Sequence, residues 1–372
     1  MVSRIMSHEP LPNLHKSRGL HNKWGIAIVG TGLIARFHAQ AVLNVPATRL
    51  VAFCGRDLQK TRRLAKEFSC DASVCLDDIL KRPEVDVVMI ATPSGTHQEI
   101  AVLAAAAGKH VLCEKPLEIT PERVNAMISA HEQAGTQLGC IFQTRYTPEI
   151  KTLQKALEMG RFGTVTYAGA YVPWWREPAY YQDSSWHGTR ELDGGGALMN
   201  QAIHMIDLLC TLMPPVKSVC ACTSTIGHPY IETEDTAAAV IQFQGGAVGV
   251  IYGSTASWPG KPKRLEISGT SGSAVLTDDR LTTFSFRDPL PEDQEVFQLG
   301  LDKNSQLAIG AANPGAMTHA LHAACLQDFI LSLETGQGFQ IDGASALRAV
   351  QVICAIYESA QKCCSVSLNP LV

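Results

Sequence analysis

Trp24-Gly25-Ile26-Ala27-Ile28-Val29-Gly30-Thr31-Gly32-Leu33-Ile34-Ala35 is the stretch from which the fold can be read. An apolar run of strand length enters a Gly-x-Gly-x-x-Ala turn and continues as a helix-length segment, the context in which this turn acts as a phosphate cradle. Gly30 permits the tight turn, Gly32 lets the backbone approach a pyrophosphate, and the small Ala35 lets helix and strand pack closely. The phosphates then meet free amides at a helix N-terminus. Gly30, Thr31, Gly32, Leu33 and Ile34 are therefore expected to hold a dinucleotide.

Working outward, strand-length apolar runs at 25–29, 49–54, 85–91, 110–113 and 137–142 alternate with helical segments at 33–43, 58–68, 76–81, 98–107 and 121–134. That alternation is the mark of a parallel sheet built from βαβ units. Pro121 after Thr120 reads as a helix start, with Thr as N-cap and Pro in the first turn. Beyond Tyr146 the texture changes. A helix at 148–159 precedes strands at 165–171 and 216–224. An antiparallel-looking series runs over 236–286, with Gln244-Gly245-Gly246 as a hairpin turn. Two helices, at 317–333 and 344–361, close the chain. The expectation is an N-terminal α/β Rossmann domain at 23–145 and an α+β domain at 146–372 with a large, mostly antiparallel open sheet. Residues 1–22 are a polar extension without the apolar core of a signal peptide.

The 372 residues carry 31 basic and 35 acidic side chains, a formal charge of −4, with no block of like charge. No electrostatic footprint for nucleic acid or anionic lipid is present, and no run approaches the ~20 apolar residues of a membrane span. A small-molecule partner in the cytoplasm is expected. The 12 cysteines are scattered through apolar stretches rather than set at metal-ligand spacing, so no metal is expected.

The second strand ends Phe53-Cys54-Gly55-Arg56-Asp57. An acid there would bind a ribose 2′-hydroxyl, whereas a base accommodates a 2′-phosphate. Gly55 stands where the acid is sought and Arg56 follows, which favours NADP; with Arg56 solvated and Asp57 capping the next helix, NAD is the cofactor instead.

Three further motifs carry chemistry. Thr92-Pro93-Ser94-x-x-His97 and Glu114-Lys115-Pro116 each follow a parallel strand, at the carboxyl edge where open α/β sheets bind ligands. Gly194-Gly195-Gly196-Ala197-Leu198-Met199-Asn200-Gln201-Ala202-Ile203-His204 places Asn200 and His204 four apart on one helix face. In their order and spacing these motifs resemble the glucose-fructose oxidoreductase / inositol dehydrogenase / rhizopine-catabolism family, over essentially the whole chain from Lys23. The resemblance implies hydride transfer between nicotinamide and a secondary alcohol or ketone of a sugar, nucleotide-sugar or cyclitol. It also implies a cis Lys115-Pro116 peptide, and assembly into homodimers or homotetramers through the open sheet.

On that resemblance Lys115, His204 and Asn200 are the catalytic candidates. Thr92, Pro93, Ser94, His97, Glu114, Lys115 and Arg56 join the glycine turn around the cofactor. Relatives commonly carry Asp where this chain has Asn200, so a carboxylate is missing from beside the histidine. An amide can orient a hydroxyl but cannot raise the histidine pKa as an anion would. Two other readings remain open: glycoside cleavage through a transient 3-keto sugar, and a non-catalytic dinucleotide sensor. Between the domains lie Trp174-Trp175-Arg176, Tyr180-Tyr181 and Trp186-His187, dense for a chain with 6% aromatics. They suit either a pyranose platform or a subunit interface. Arg145, Trp175, Tyr181, Trp186 and His187 are the substrate candidates.

Overall fold

The computed structural model describes residues 23–298 and 319–368; the N-terminal extension and the start of the penultimate helix lie outside these. The first half is a six-stranded sheet in the order β3-β2-β1-β4-β5-β6, every pair parallel. Its strands are β1 (Trp24–Val29), β2 (Thr48–Cys54), β3 (Asp71–Ser73), β4 (Val87–Ile90), β5 (His110–Cys113) and β6 (Leu138–Cys140). The intervening helices are α1 (Leu33–Asn44), α2 (Leu58–Glu67), α3 (Leu76–Leu80), α4 (His97–Ala106) and α5 (Pro121–Ala134). Ile26, Ala27, Ile28, Val87, Val88 and Ile90 are wholly buried, because helices cover both faces of a parallel sheet and leave no polar side. α5 is capped as expected, with the Thr120 hydroxyl accepting from the Arg123 amide.

The second half is an eight-stranded sheet in the order β13-β12-β11-β7-β10-β9-β8-β14. It comprises β7 (Val165–Pro173), β8 (Val216–Ser224), β9 (Thr236–Phe243), β10 (Val248–Ser254), β11 (Arg264–Gly269), β12 (Gly272–Thr277), β13 (Arg280–Phe286) and β14 (Val366–Ser367). All neighbours run antiparallel except β7 and β10. β9 alternates buried and exposed residues along its length, so one face packs inward and the other stays open. α6 (Pro148–Glu158), the short α7 (Pro178–Gln182) and α8 (Ile203–Leu212) complete this half.

The closing helices straddle the two halves. α9 (Ala320–Thr335) packs on α1, whereas α10 (Gly343–Lys362) packs on α5, α8 and β8. Burial of Leu347, Val350, Ile353 and Ile356 along α10 contributes about 1.5–3 kcal/mol per side chain, and the Cys140 amide donates to the Ile341 carbonyl. The carboxyl ends of β4 and β5 and the segment ahead of α8 are thereby held at one cleft. No helix among the described residues is long and apolar enough to cross a membrane.

Candidate active site

The glycine turn has the geometry its spacing predicts. Gly30 adopts φ +125°, and a Cβ there would lie 2.2 Å from the Ala91 carbonyl oxygen, so only glycine fits. Gly32 is the N-cap of α1 and supplies no capping side chain, so the first helical amides remain open to phosphate. Thr31, Gly32 and Leu33 line a cleft of about 210 Å³ together with Arg36, Lys60, Arg63 and Leu64. Leu33 is 57% exposed above it, an apolar surface awaiting a cover. The donor set fits a dinucleotide. At the end of β2, Arg56 is exposed and Asp57 caps α2 through the Lys60 amide at 3.0 Å.

Two of the residues expected at the cofactor have partners within the scaffold. His97 is buried, with Nδ1 3.0 Å from the Pro116 carbonyl and Nε2 3.0 Å from the Thr92 carbonyl. It sits between the two motif loops, with a main-chain carbonyl beside each ring nitrogen. Glu114 turns away from the cleft to face His38 Nε2 at 2.9 Å, with His322 at 4.0 Å. Burial alone would raise its pKa, but the close approach of His38, with His322 and Lys115 nearby, holds it down at about 2. Thr92 accepts from the Thr96 hydroxyl, and Ser94 is buried in the same loop.

Lys115-Pro116 is cis. Lys115 Nζ donates to the Asn200 carbonyl at 2.8 Å, joining residues 85 apart in sequence and closing the cleft between the domains. Burial lowers the Lys115 pKa, while Glu114 and Asp193 oppose the shift.

Asn200 lies in a π-helical turn, Ala197–Ala202, that runs into α8, rather than in the regular helix the spacing suggested. Such turns recur at functional sites because they re-aim side chains. Glu234 holds this one from outside: its carboxylate accepts the Gly196 and Leu198 amides and the Tyr357 hydroxyl. A Cβ on Gly196 would lie 1.9 Å from the Glu234 carbonyl oxygen, which explains a glycine there. His204 follows with its Nδ1 sealed from solvent and unbonded, against the edge of Phe142 at 5.9 Å. Burial, then the Lys115 charge, push the His204 pKa well below 6.5, so the imidazole rests neutral.

The aromatic loop divides. His187 stacks on Tyr180 at 4.3 Å and meets Trp186 at 4.0 Å, and Lys115 is close enough to help burial lower its pKa to about 4. Trp175 donates to Glu177 at the rim. Two substrate candidates are engaged with partners inside the protein. Tyr181 is buried with its hydroxyl donating to Thr255. Arg145 is committed to Asp207 at 2.7 Å and to Ser345, a buried ion pair behind the histidine helix.

Asp193, Glu234, Gln201 and Arg176 complete the cleft. Arg176 is buried and donates to Gln201 at 2.6 Å. Asp193 immediately precedes the glycine triplet, and that adjacency was the only signal the sequence offered for it.

Residues 24–142 match the family model described as "Oxidoreductase family, NAD-binding Rossmann fold", and residues 150–275 match "GFO/IDH/MocA C-terminal domain". The WlbA dehydrogenase from Bordetella pertussis, solved in complex with NADH and UDP-GlcNAcA, is 30% identical and superposes with a TM-score of 0.86, covering 95% of this chain and 99% of that one. The 1,5-anhydro-D-fructose reductase of Ensifer adhaerens is 26% identical over 85% of this chain and 94% of its own length. The levoglucosan dehydrogenase of Pseudarthrobacter phenanthrenivorans is 29% identical over 68% and 74%.

Proposed function

The chain belongs to the GFO/IDH/MocA family of NAD-binding oxidoreductases, and from that premise we propose that it oxidises a secondary alcohol of a sugar, nucleotide-sugar or cyclitol, reversibly, with His204 and Lys115 as its catalytic pair. The observation that carries this reading is one cleft holding a neutral histidine beside a lysine that bridges the two domains. His204 Nε2 accepts the hydroxyl proton, and Lys115 Nζ stabilises the oxyanion left behind. Asn200 orients the hydroxyl with its side-chain amide. When bound, the nicotinamide exchanges a hydride with the same carbon. The glycine turn and the Thr92–Ser94 loop hold the dinucleotide.

NADP is the proposed preference. No acid ends β2, Asp57 is occupied as a helix cap, and Arg56, Lys60 and Arg63 supply cations for a 2′-phosphate. The twelve free cysteines support a reducing, cytoplasmic compartment. Val240 and Val248, 60% and 48% exposed on the open sheet face, support assembly into a homodimer or homotetramer.

The test is a titration of the purified protein, checked for bound cofactor, with NADPH and NADH by nicotinamide fluorescence, followed by turnover with UDP-GlcNAcA, levoglucosan and myo-inositol. Saturable binding, tighter for NADPH, is expected. Tighter NADH binding overturns the preference alone, and binding of neither, with none co-purified, overturns the function.

A further inference from the structure

The carboxylate missing from position 200 has a counterpart seven residues earlier in the chain. Asp193 is 1% exposed. Its Oδ1 accepts from Asn200 Nδ2 at 2.6 Å, and its Oδ2 accepts from the Gly188 amide at 2.8 Å. Asn200 Oδ1 in turn accepts from Gln201 Nε2 at 2.9 Å, and Gln201 Oε1 accepts from the Arg176 guanidinium at 2.6 Å. Gln201 Nε2 also donates to the Tyr180 hydroxyl.

An anion and a cation thus terminate a chain of two amides aligned head to tail, each bond polarising the next. With Asp193 ionised, flipping Asn200 would set its carbonyl oxygen against the Asp193 carboxylate and its NH2 against that of Gln201, so the ionised network permits one orientation. One Nδ2 hydrogen and one Oδ1 lone pair remain for a ligand. The Gly188 bond links the same carboxylate to the loop that carries Trp186 and His187.

We infer that Asp193 is the positioning carboxylate of this site: through Asn200 it fixes which edge of the amide meets the substrate hydroxyl, and by its charge it supports the cationic form of Lys115. This rests on the reading of His204 and Lys115 given above. Several groups face Asp193: Lys115 from the loop after β5, Glu234 from the segment before β9, and Tyr180 and Tyr181 from α7. Arg176 reaches it through the relay. Burial pushes its carboxyl up to about 7, with Glu234 adding to the rise, while the Gly188 and Asn200 amides and Lys115 pull it down. The relay therefore gains its negative end as pH rises through neutrality.

The experiment compares the parent protein, Asp193→Asn, the exchange Asp193→Asn/Asn200→Asp, and His204→Ala. Turnover is measured against pH with whichever of UDP-GlcNAcA, levoglucosan and myo-inositol the parent oxidises. An infrared pH titration of the carboxylic C=O band needs no substrate. Asp193→Asn should lower kcat about 10- to 100-fold, the scale of one charged hydrogen bond, with KM within a few-fold. It should also erase the ionisation near neutrality from the kcat profile and the matching infrared band. The exchange, which returns a carboxylate to the pair, should restore that ionisation and part of kcat.

Parent-like turnover and pH profile in Asp193→Asn, or an infrared titration unchanged by it, overturns the inference. If that variant does not fold, the exchange variant and the parent's own infrared titration decide it: no band titrating near neutrality in either overturns the inference. Full activity in His204→Ala overturns the underlying reading instead.

Discussion

Glu114 on the Rossmann side and Asp193 on the second-domain side flank the same lysine, and their surroundings drive them in opposite directions. Both are nearly inaccessible, 8% and 1% exposed, and burial raises both. Glu114 also faces His38 and His322 from α1 and α9, and their closeness, with that of Lys115, brings it down to about 2. Asp193 faces amides, and Glu234 adds to its rise, which leaves it at about 7. What a buried carboxylate becomes is thus decided by whether an ionisable donor or a neutral one fills its lone pairs. The carboxylate beside Lys115 in one domain is thus held low and the one in the other domain is held high.

Removing the proton acceptor between these regions has the largest expected effect. His204→Ala should lower kcat by about 10²- to 10⁴-fold while NADH binding, read by fluorescence titration, stays within a few-fold; unchanged kcat would refute the role. Lys115→Met should cost about 10²- to 10³-fold in kcat and also sharpen the comparison. With the cation gone, the Asp193 ionisation should move upward in an infrared titration, whereas Glu114, still held by His38, should remain ionised at neutral pH.

The two carboxylates should also leave opposite marks on stability, measured by urea unfolding across pH. Glu114 has a depressed folded pKa, from 4.5 to about 2. Its contribution, on the order of 3 kcal/mol, is present above pH 4.5 and lost as pH falls toward 2. Glu114→Gln should flatten that acid limb. Asp193 has a raised folded pKa, from 3.8 to about 7. Its contribution is fully present below the unfolded value of 3.8, and stability falls by on the order of 4 kcal/mol as pH rises from there to about 7. Asp193→Asn should remove this fall, and a slope that persists in the variant would assign it elsewhere. The smallest effect is expected at the far end of the cofactor cleft. Arg56→Ala should weaken NADPH binding about 10-fold, one charge-assisted contact, and leave NADH unchanged. Equal loss for both would remove Arg56 from the 2′-phosphate.

Much of the Rossmann half was legible because its signals are local. α5 and β5 fall where capping and apolar length put them, and the Gly30-x-Gly32 turn needs only its neighbours to adopt its shape. β3, three residues at a sheet edge, has too little pattern to announce itself. In the second half β8 was read to the residue, yet the turn before α8 was read as regular helix, because its π-helical form depends on Glu234, thirty-odd residues downstream. The internal partners of His97, Tyr181 and Arg145 were out of reach for a related reason. A polar side chain next to a motif looks functional until its partner is known. Those partners, the Thr92 and Pro116 carbonyls, Thr255 and Asp207, are contributed by other elements.

The order of the longer strands and helices, the phosphate turn, the lysine after β5 and the histidine on α8 were legible in the sequence alone, since each rests on residues adjacent in the chain or one helical turn apart. Which polar groups serve the scaffold and which serve the cleft was decided only by the tertiary structure. Buried charge takes its state from whatever packs against it, and the groups that set Lys115, Glu114 and Asp193 come from both domains and the closing helix α9.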